Sequence, residues 1–220
     1  MHLHIGGDYA CFTRTEIKAE RVSYDVLTPY AARGILEAIH WKPAIFWAID
    51  KIHVLKPIRS ELISYPESVN RTESTELTNQ NSLNFKSANN INTEHRSQKT
   101  SRVLKDVSYI IEAHIKLTEK AGKDDNLKKH LEIFKRRAIK GQYFQQPCLG
   151  TRKFPAWFTW IDENSELLIS NLPEHEANRD LGLMLHDIDF ANNATPYFYH
   201  AKLQNGIINV PPFRPSDKSV

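Results

Sequence analysis

The stretch Thr28-Pro29-Tyr30-Ala31-Ala32-Arg33-Gly34-Ile35-Leu36-Glu37-Ala38-Ile39-His40-Trp41-Lys42-Pro43 decides the fold class. Thr28 offers a side-chain oxygen to the free N–H groups of a helix start, and Pro29 arrives at the first helical position with its φ already set. Ala31, Ala32, Ile35, Leu36, Ala38 and Ile39 recur at helical spacing and define one apolar face. Pro43 disfavours helical backbone at Lys42, so the helix ends near Trp41. The chain then changes period at once. Ala44 to Leu55 is rich in Ile, Val, Phe and Trp and is closed by Pro57, which predicts one or two strands. Upstream, Leu3 to Thr13, with its Gly6-Gly7 break, predicts a first strand.

Working outward, the same alternation of elements repeats. Residues 64 to 101 are rich in Ser, Thr, Asn and Gln with few large apolar side chains, a composition that cannot offset its own ordering entropy and so predicts a long mobile insertion. Val107 to Leu117 predicts a buried strand, Asn126 to Ile139 a strongly basic helix with Leu127, Leu131, Ile133 and Phe134 as its apolar positions, and Gln142 to Leu149 a further strand. Beyond Gly150, the runs Phe154 to Ile161, Leu181 to Phe190 and Phe198 to Val210 read as strands, the last turning at Asn205-Gly206. The expected class is α+β. A ferredoxin-like or RRM-like N-terminal domain occupies 1–150 and a small β-rich C-terminal extension occupies 151–220.

The chain has 220 residues, 40% hydrophobic and 25% charged, a globular composition with room for a core. Its apolar runs are far short of a membrane span, and the N-terminus lacks a basic start and an apolar segment, so a cytoplasmic protein without membrane contact is expected. Cys11 and Cys148 are too few and too far apart for a disulfide framework or a zinc site. The net charge of +3 says little, but its distribution says more. Residues 116–140 hold nine Lys and Arg against four Asp and Glu, and residues 151–190 hold eight acids against three bases. A basic helix of this kind suits a polyanion, although an ordinary solvated helix face has the same composition.

Several strings occur together: Gly7-Asp8-Tyr9-Ala10-Cys11-Phe12-Thr13-Arg14, Val22-Ser23-Tyr24-Asp25-Val26-Leu27-Thr28-Pro29, the helix ending His40-Trp41-Lys42-Pro43, Gln146-Pro147-Cys148-Leu149-Gly150-Thr151-Arg152, and Met184-Leu185-His186-Asp187-Ile188-Asp189-Phe190. With them the chain resembles the Cas-five family, d subtype, of type I-C CRISPR systems, over nearly its whole length except the insertion. The resemblance implies an RRM-like endoribonuclease that cuts precursor CRISPR RNA within the repeat hairpin, without metal or other cofactor. It further implies retention of the mature 5′ handle beside backbone and large Cas subunits of the surveillance complex. The alternative is a non-catalytic handle-binding scaffold, as in related subtypes that leave cleavage to another enzyme.

In the resemblance, the family's active site of Tyr, Lys and His maps onto His40, Lys129 and His130, with His standing where some relatives have Tyr. A second departure is Thr15, where relatives usually carry Pro. Metal-free cleavage uses the ribose 2′-OH as nucleophile, so the site must remove one proton, stabilise a phosphorane and protonate the leaving 5′ oxygen. Two imidazoles and one ammonium can divide that work. The expected roles are His40 as base, His130 as acid and Lys129 as stabiliser, with base and acid interchangeable. Each also has an ordinary reading: His40 as a helix-end group meeting terminal carbonyls, His130 as a solvated residue beside a lysine run.

Lys128, Lys135, Arg136, Arg137 and Lys140 are expected on RNA phosphates, and Arg14 and Arg33 on the handle. Tyr9, Phe12, Tyr24, Tyr143 and Phe144 are candidates for base stacking, although strand aromatics are more often core. His186-Asp187-Ile188-Asp189 has the residue types of a metal cluster, but strand alternation separates His186 from the two acids, which favours a structural or partner-facing use.

Overall fold

The computed structural model describes residues 1–17, 20–68, 96–162, 165–190 and 192–213. The described chain builds one mostly antiparallel nine-stranded sheet with few helices. In chain order the elements are β1 (His2–Ala10), β2 (Arg21–Val22), α1 (Pro29–Ile39), β3 (Ile45–Val54), β4 (Ser60–Ser68), β5 (Arg96–Leu117), α2 (Leu127–Ile139), β6 (Trp157–Ile161), α3 (Glu174–Ala177), β7 (Arg179–Asp189), β8 (Thr195–Gln204) and β9 (Ile207–Asn209). The order across the sheet is β6-β1-β5-β3-β9-β8-β7, with β2 and β4 both on the outer half of β5. Strands from both sides of Gly150 therefore join one sheet: β6 pairs with β1 and β9 with β3.

Alternation along the central strands selects the face that carries the helices. Leu3 pairs with Ile111 and Ile5 with Tyr109, while Ile52 and Val54 of β3 meet the same two β5 residues from the other side. All six are buried. Trp47 of β3 and Phe134 of α2, both without solvent exposure, pack at a ring separation of 4.7 Å and fix α2 over this face. The expected cap is present on α1: the Thr28 hydroxyl accepts from the Ala31 N–H at 3.2 Å, with Pro29 at the first turn. Asn126 does the same for α2, accepting from the Lys129 N–H at 2.8 Å. Gly141, at φ +64°, ends α2 in the left-handed conformation that glycine accepts without a Cβ clash. Asn205 and Gly206, at φ +52° and +77°, form the predicted two-residue turn between β8 and β9.

Two expectations change. Gln142 to Leu149 is not a strand. The N–H groups of Phe144 and Gln145 both donate to the Ala38 carbonyl, at 2.9 and 3.0 Å, so the segment crosses the end of α1, and the strand that joins β1 is β6. The insertion expected over 64–101 is ordered at both ends, where Ser60–Ser68 pairs antiparallel with Arg96–Leu104. Backbone ladder hydrogen bonds extend the sheet there without the apolar side chains that composition looks for. The remainder of the insertion, 69–95, lies outside the described residues. The long reach of β5 and the parallel contact of β2 with Ser101 and Arg102 had no sequence signal. Cys11 and Cys148 are free thiols. Among the described residues no helix is long and apolar enough to cross a membrane.

Candidate active site

The end of α1 and the start of α2 meet at one point. Leaving α1, His40 takes an extended backbone, φ −151° and ψ 115°, because Lys42-Pro43 cannot continue the helix. Its N–H still donates to the Leu36 carbonyl at 3.0 Å, and its own carbonyl accepts from the Trp47 indole N–H at 2.9 Å. On α2, His130 lies one turn in from the Asn126 cap. The two imidazoles come together across 90 residues of sequence: His40 Nε2 and His130 Nδ1 are 3.1 Å apart, with ring planes 27° from parallel. Lys129 is their neighbour on α2, its ammonium 3.3 Å from the Asp124 carbonyl oxygen and 3.8 Å from Asp125.

Both rings are only 2% exposed. Burial, followed by the positive charge of Arg137, pulls the His40 pKa down from 6.5 to about 4, so His40 is neutral at physiological pH. His40 Nδ1 is buried with no hydrogen-bonding partner among the described residues. His130 Nε2 sits 3.1 Å from Asp125 Oδ1, and Asp125 Oδ2 accepts from the Gly122 N–H at 3.0 Å. That backbone hydrogen bond is the main reason the Asp125 pKa lies below its ordinary value, with His130 and Lys129 adding to it. Asp125 escaped the sequence reading. Its signal is positional: a carboxylate one residue before a helix N-cap folds back over the first turn, where His130 stands.

The other expected RNA contacts divide. Lys128, Arg136 and Lys140 are exposed on or beside α2. Lys135 is engaged within the protein, 3.3 Å from Asp162 and over the Trp160 ring. Arg137 donates to the Ile39 carbonyl at 2.7 Å. Arg14 pairs with Glu16 at 3.2 Å and lies 4.4 Å above the Tyr24 ring. Arg33 is spent on Asp187 and stacks over Phe46, and the bulge that turns Asp187 inward also sends His186 Nε2 to the Pro211 carbonyl at 2.7 Å. The His186 and Asp187 pair is therefore structural. Tyr24 and Phe12 are core residues, Tyr24 with its hydroxyl on Glu16 at 3.1 Å, and half-buried Tyr9 packs on Phe154. Tyr143 and Phe144 are exposed, Phe144 by 82%. They lie on the segment that crosses the end of α1. Beside it, Trp41, Phe144 and Phe190 border an open groove of about 520 Å³ that runs along α1. Gly150, at φ +85°, brings its backbone against Cys11 so closely that a Cβ would collide with the Cys11 carbonyl oxygen, and this contact explains the glycine.

A carboxylate, two hydrogen-bonding imidazoles and a neighbouring lysine are held where two helices converge on an antiparallel sheet, residue types that suit acid–base chemistry. The chain belongs to the CRISPR-associated Cas_Cas5 family: the model of its Cas5d branch matches residues 1–211. It is 57% identical over 216 residues to the CRISPR pre-crRNA endoribonuclease Cas5d of Mannheimia succiniciproducens, covering 97% of this chain and 95% of the relative. With the protein of the same name from Thermus thermophilus it shares 38% over 230 residues, 96% of this chain and 91% of the relative. Among solved structures, the crystal structure of a CRISPR-associated protein superposes with a TM-score of 0.67 at 24% identity, covering 94% of this chain and 89% of that one. The Streptococcus mutans protein SMU1763c, described as functionally uncharacterized, also gives 0.67 at 23% identity, covering all of this chain and 94% of that one. These two likenesses concern the fold.

Proposed function

We propose that this protein is a metal-independent endoribonuclease that cleaves precursor CRISPR RNA within the repeat hairpin. It then stays on the 5′ handle as a subunit of the type I-C surveillance complex, beside backbone and large Cas subunits in the cytoplasm. The names of the two curated relatives supply the reaction class. The observation on this chain that carries the reading is the 3.1 Å approach of His40 to His130, with Lys129 adjacent. The order β6-β1-β5-β3, with α1 and α2 as the crossovers, is that of a ferredoxin-like unit, and we read it as the RRM-like scaffold of the site. The catalytic residues lie in 1–150, and the β-rich 151–220 completes the sheet.

In the proposed reaction the 2′-oxygen attacks the adjacent phosphorus and gives up its proton to a base. The bond from phosphorus to the 5′ oxygen breaks, that oxygen takes a proton from an acid, and a 2′,3′-cyclic phosphate remains. His40 and His130 share the acid–base work, and the Lys129 ammonium offsets charge on the phosphorane. Lys128, Arg136 and Lys140 hold phosphates, and exposed Tyr143 and Phe144 offer faces to unpaired bases.

One observation favours the scaffold reading. Both imidazoles are buried, so RNA reaches them only if side chains around the end of α1 move. Incubation with repeat-hairpin RNA in EDTA, beside His40→Ala, Lys129→Ala and His130→Ala, separates the two. Discrete cleavage by the parent, lost in the three variants, is expected. Tight binding without cleavage by the parent would leave the scaffold reading.

A further inference from the structure

We propose that Asp125 is the positioning residue of this site: it holds the proton of His130 on Nε2 and thereby leaves His40 with a free lone pair on Nδ1, which makes His40 the base. This role rests on the endoribonuclease reading above and follows from the protons along three side chains. Asp125 is a carboxylate, with Oδ2 on the Gly122 N–H at 3.0 Å and Oδ1 3.1 Å from His130 Nε2. A carboxylate only accepts, so His130 Nε2 carries a hydrogen. With His40 neutral, two arrangements of the remaining protons satisfy the 3.1 Å contact between His130 Nδ1 and His40 Nε2.

In the first, His130 is neutral, its Nδ1 accepts from the His40 Nε2–H, and His40 Nδ1 is an unprotonated lone pair. In the second, His130 is an imidazolium that donates from Nδ1, and His40 Nδ1 carries an N–H. His40 Nδ1 is buried and has no partner among the described residues. An orphaned buried N–H is rarer in proteins than an under-used acceptor, which selects the first arrangement. The surrounding charges point the same way. Arg137 and Lys42 act on His40, and Lys129 neighbours His130 beside the Asp125 carboxylate, so a third proton on the pair would add to that positive field.

The geometry also separates the roles of the two histidines. Both nitrogens of His130 are occupied, one by Asp125 and one by His40, so His130 acts on RNA through His40. When His40 Nδ1 takes the ribose proton, the positive charge that forms is shared along the Nε2 to Nδ1 contact and stabilised by Asp125 behind it, and His40 then returns that proton to the departing 5′ oxygen. The three side chains form a carboxylate–imidazole–imidazole line that ends at His40.

The test pairs a reading that needs no RNA with one that does. Long-range ¹H–¹⁵N correlation spectra of the full chain at pH 7.5, with His40 and His130 assigned from His40→Gln and His130→Gln, report the tautomers. The parent is expected to show Nε2–H on both rings and Asp125→Asn to lose that uniform state, because an amide both donates and accepts. Asp125→Asn is expected to cleave repeat RNA on the order of tenfold or more slowly, with a displaced acid limb in its pH–rate profile, unchanged RNA affinity and partial rescue by Asp125→Glu. His130 in the Nδ1–H form in the parent, or unaltered tautomers in Asp125→Asn, would overturn the proposal, as would a parental cleavage rate for that variant at every pH. A parent that never cleaves removes the endoribonuclease reading instead, and the tautomers then decide the place of Asp125 alone.

Discussion

Arg137 of α2 donates from Nη1 to the carbonyl of Ile39, the last residue of α1, at 2.7 Å. A guanidinium in the middle of a basic run therefore acts as the C-terminal cap of another helix. The bond satisfies one of the carbonyls that α1 leaves open and places a positive charge at the negative end of its dipole. It also fixes the distance between the helices on which His40 and His130 stand.

Arg137→Ala is accordingly expected to act on stability and on the site together. Loss of a partly buried, charge-assisted hydrogen bond costs about 1 to 2 kcal/mol, read as a lower urea midpoint. The neighbouring exposed Arg136→Ala is expected to leave the midpoint within about 0.5 kcal/mol of the parent. Equal stability losses in the two variants would contradict the capping role.

The contrast between these two arginines shows what the sequence could and could not tell. Helix starts at Thr28-Pro29 and Asn126, and the turn at Asn205-Gly206, were legible because cap and turn chemistry is local. The run Gln142 to Leu149 misled because its aromatics suit a strand, while its N–H groups are taken by Ala38 across the fold. The polar arms of β4 and β5 misled in the opposite sense, since ladder bonds leave no mark on composition. The pairing of His40 with His130 spans 90 residues, and no spacing rule reaches that far. It was visible only through resemblance to a family. Arg33, Lys135 and Arg137 read as surface cations because a sequence does not show which acids and carbonyls lie opposite them.

The lowered pKa of His40 makes stability depend on pH with a definite sign. Unfolded, the ring titrates near 6.5; folded, it does so at about 4. Between those values the unfolded chain holds the extra proton, so acidification favours unfolding. Its contribution is complete above pH 6.5 and is lost as the pH falls toward 4, in total about 3 kcal/mol. Urea unfolding across this window is expected to show a shallower pH dependence for His40→Gln than for the parent. Parallel curves would mean that His40 is not the buried neutral group described.

Arg33 and Asp187 tie α1 to β7 through a largely buried pair. Burial raises the Asp187 pKa, and Arg33, the first of the opposing influences, holds it back. Removing one partner leaves the other charge buried, so Asp187→Ala is expected to cost about 3 to 5 kcal/mol. The double change Arg33→Met with Asp187→Leu is expected to recover much of that loss, because it removes both desolvated charges at once. A double variant as unstable as the single one would show that packing, not the unpaired charge, dominates.

RNA contact by the exposed cations of α2 can be separated from their solvation by salt. Each phosphate neutralised by Lys or Arg releases counterions, and each such contact removed flattens the plot of log affinity against log salt by about 0.7 to 0.9. Lys128, Arg136 and Lys140 are exposed around the helix that carries His130, whereas Lys135 is held by Asp162 and Trp160. Single glutamine substitutions at the first three are expected to lower the slope of repeat-RNA binding, and Lys135→Gln to leave it unchanged. A slope that falls only for Lys135 would put the RNA on the β6 side of α2 and free its outer face for protein partners.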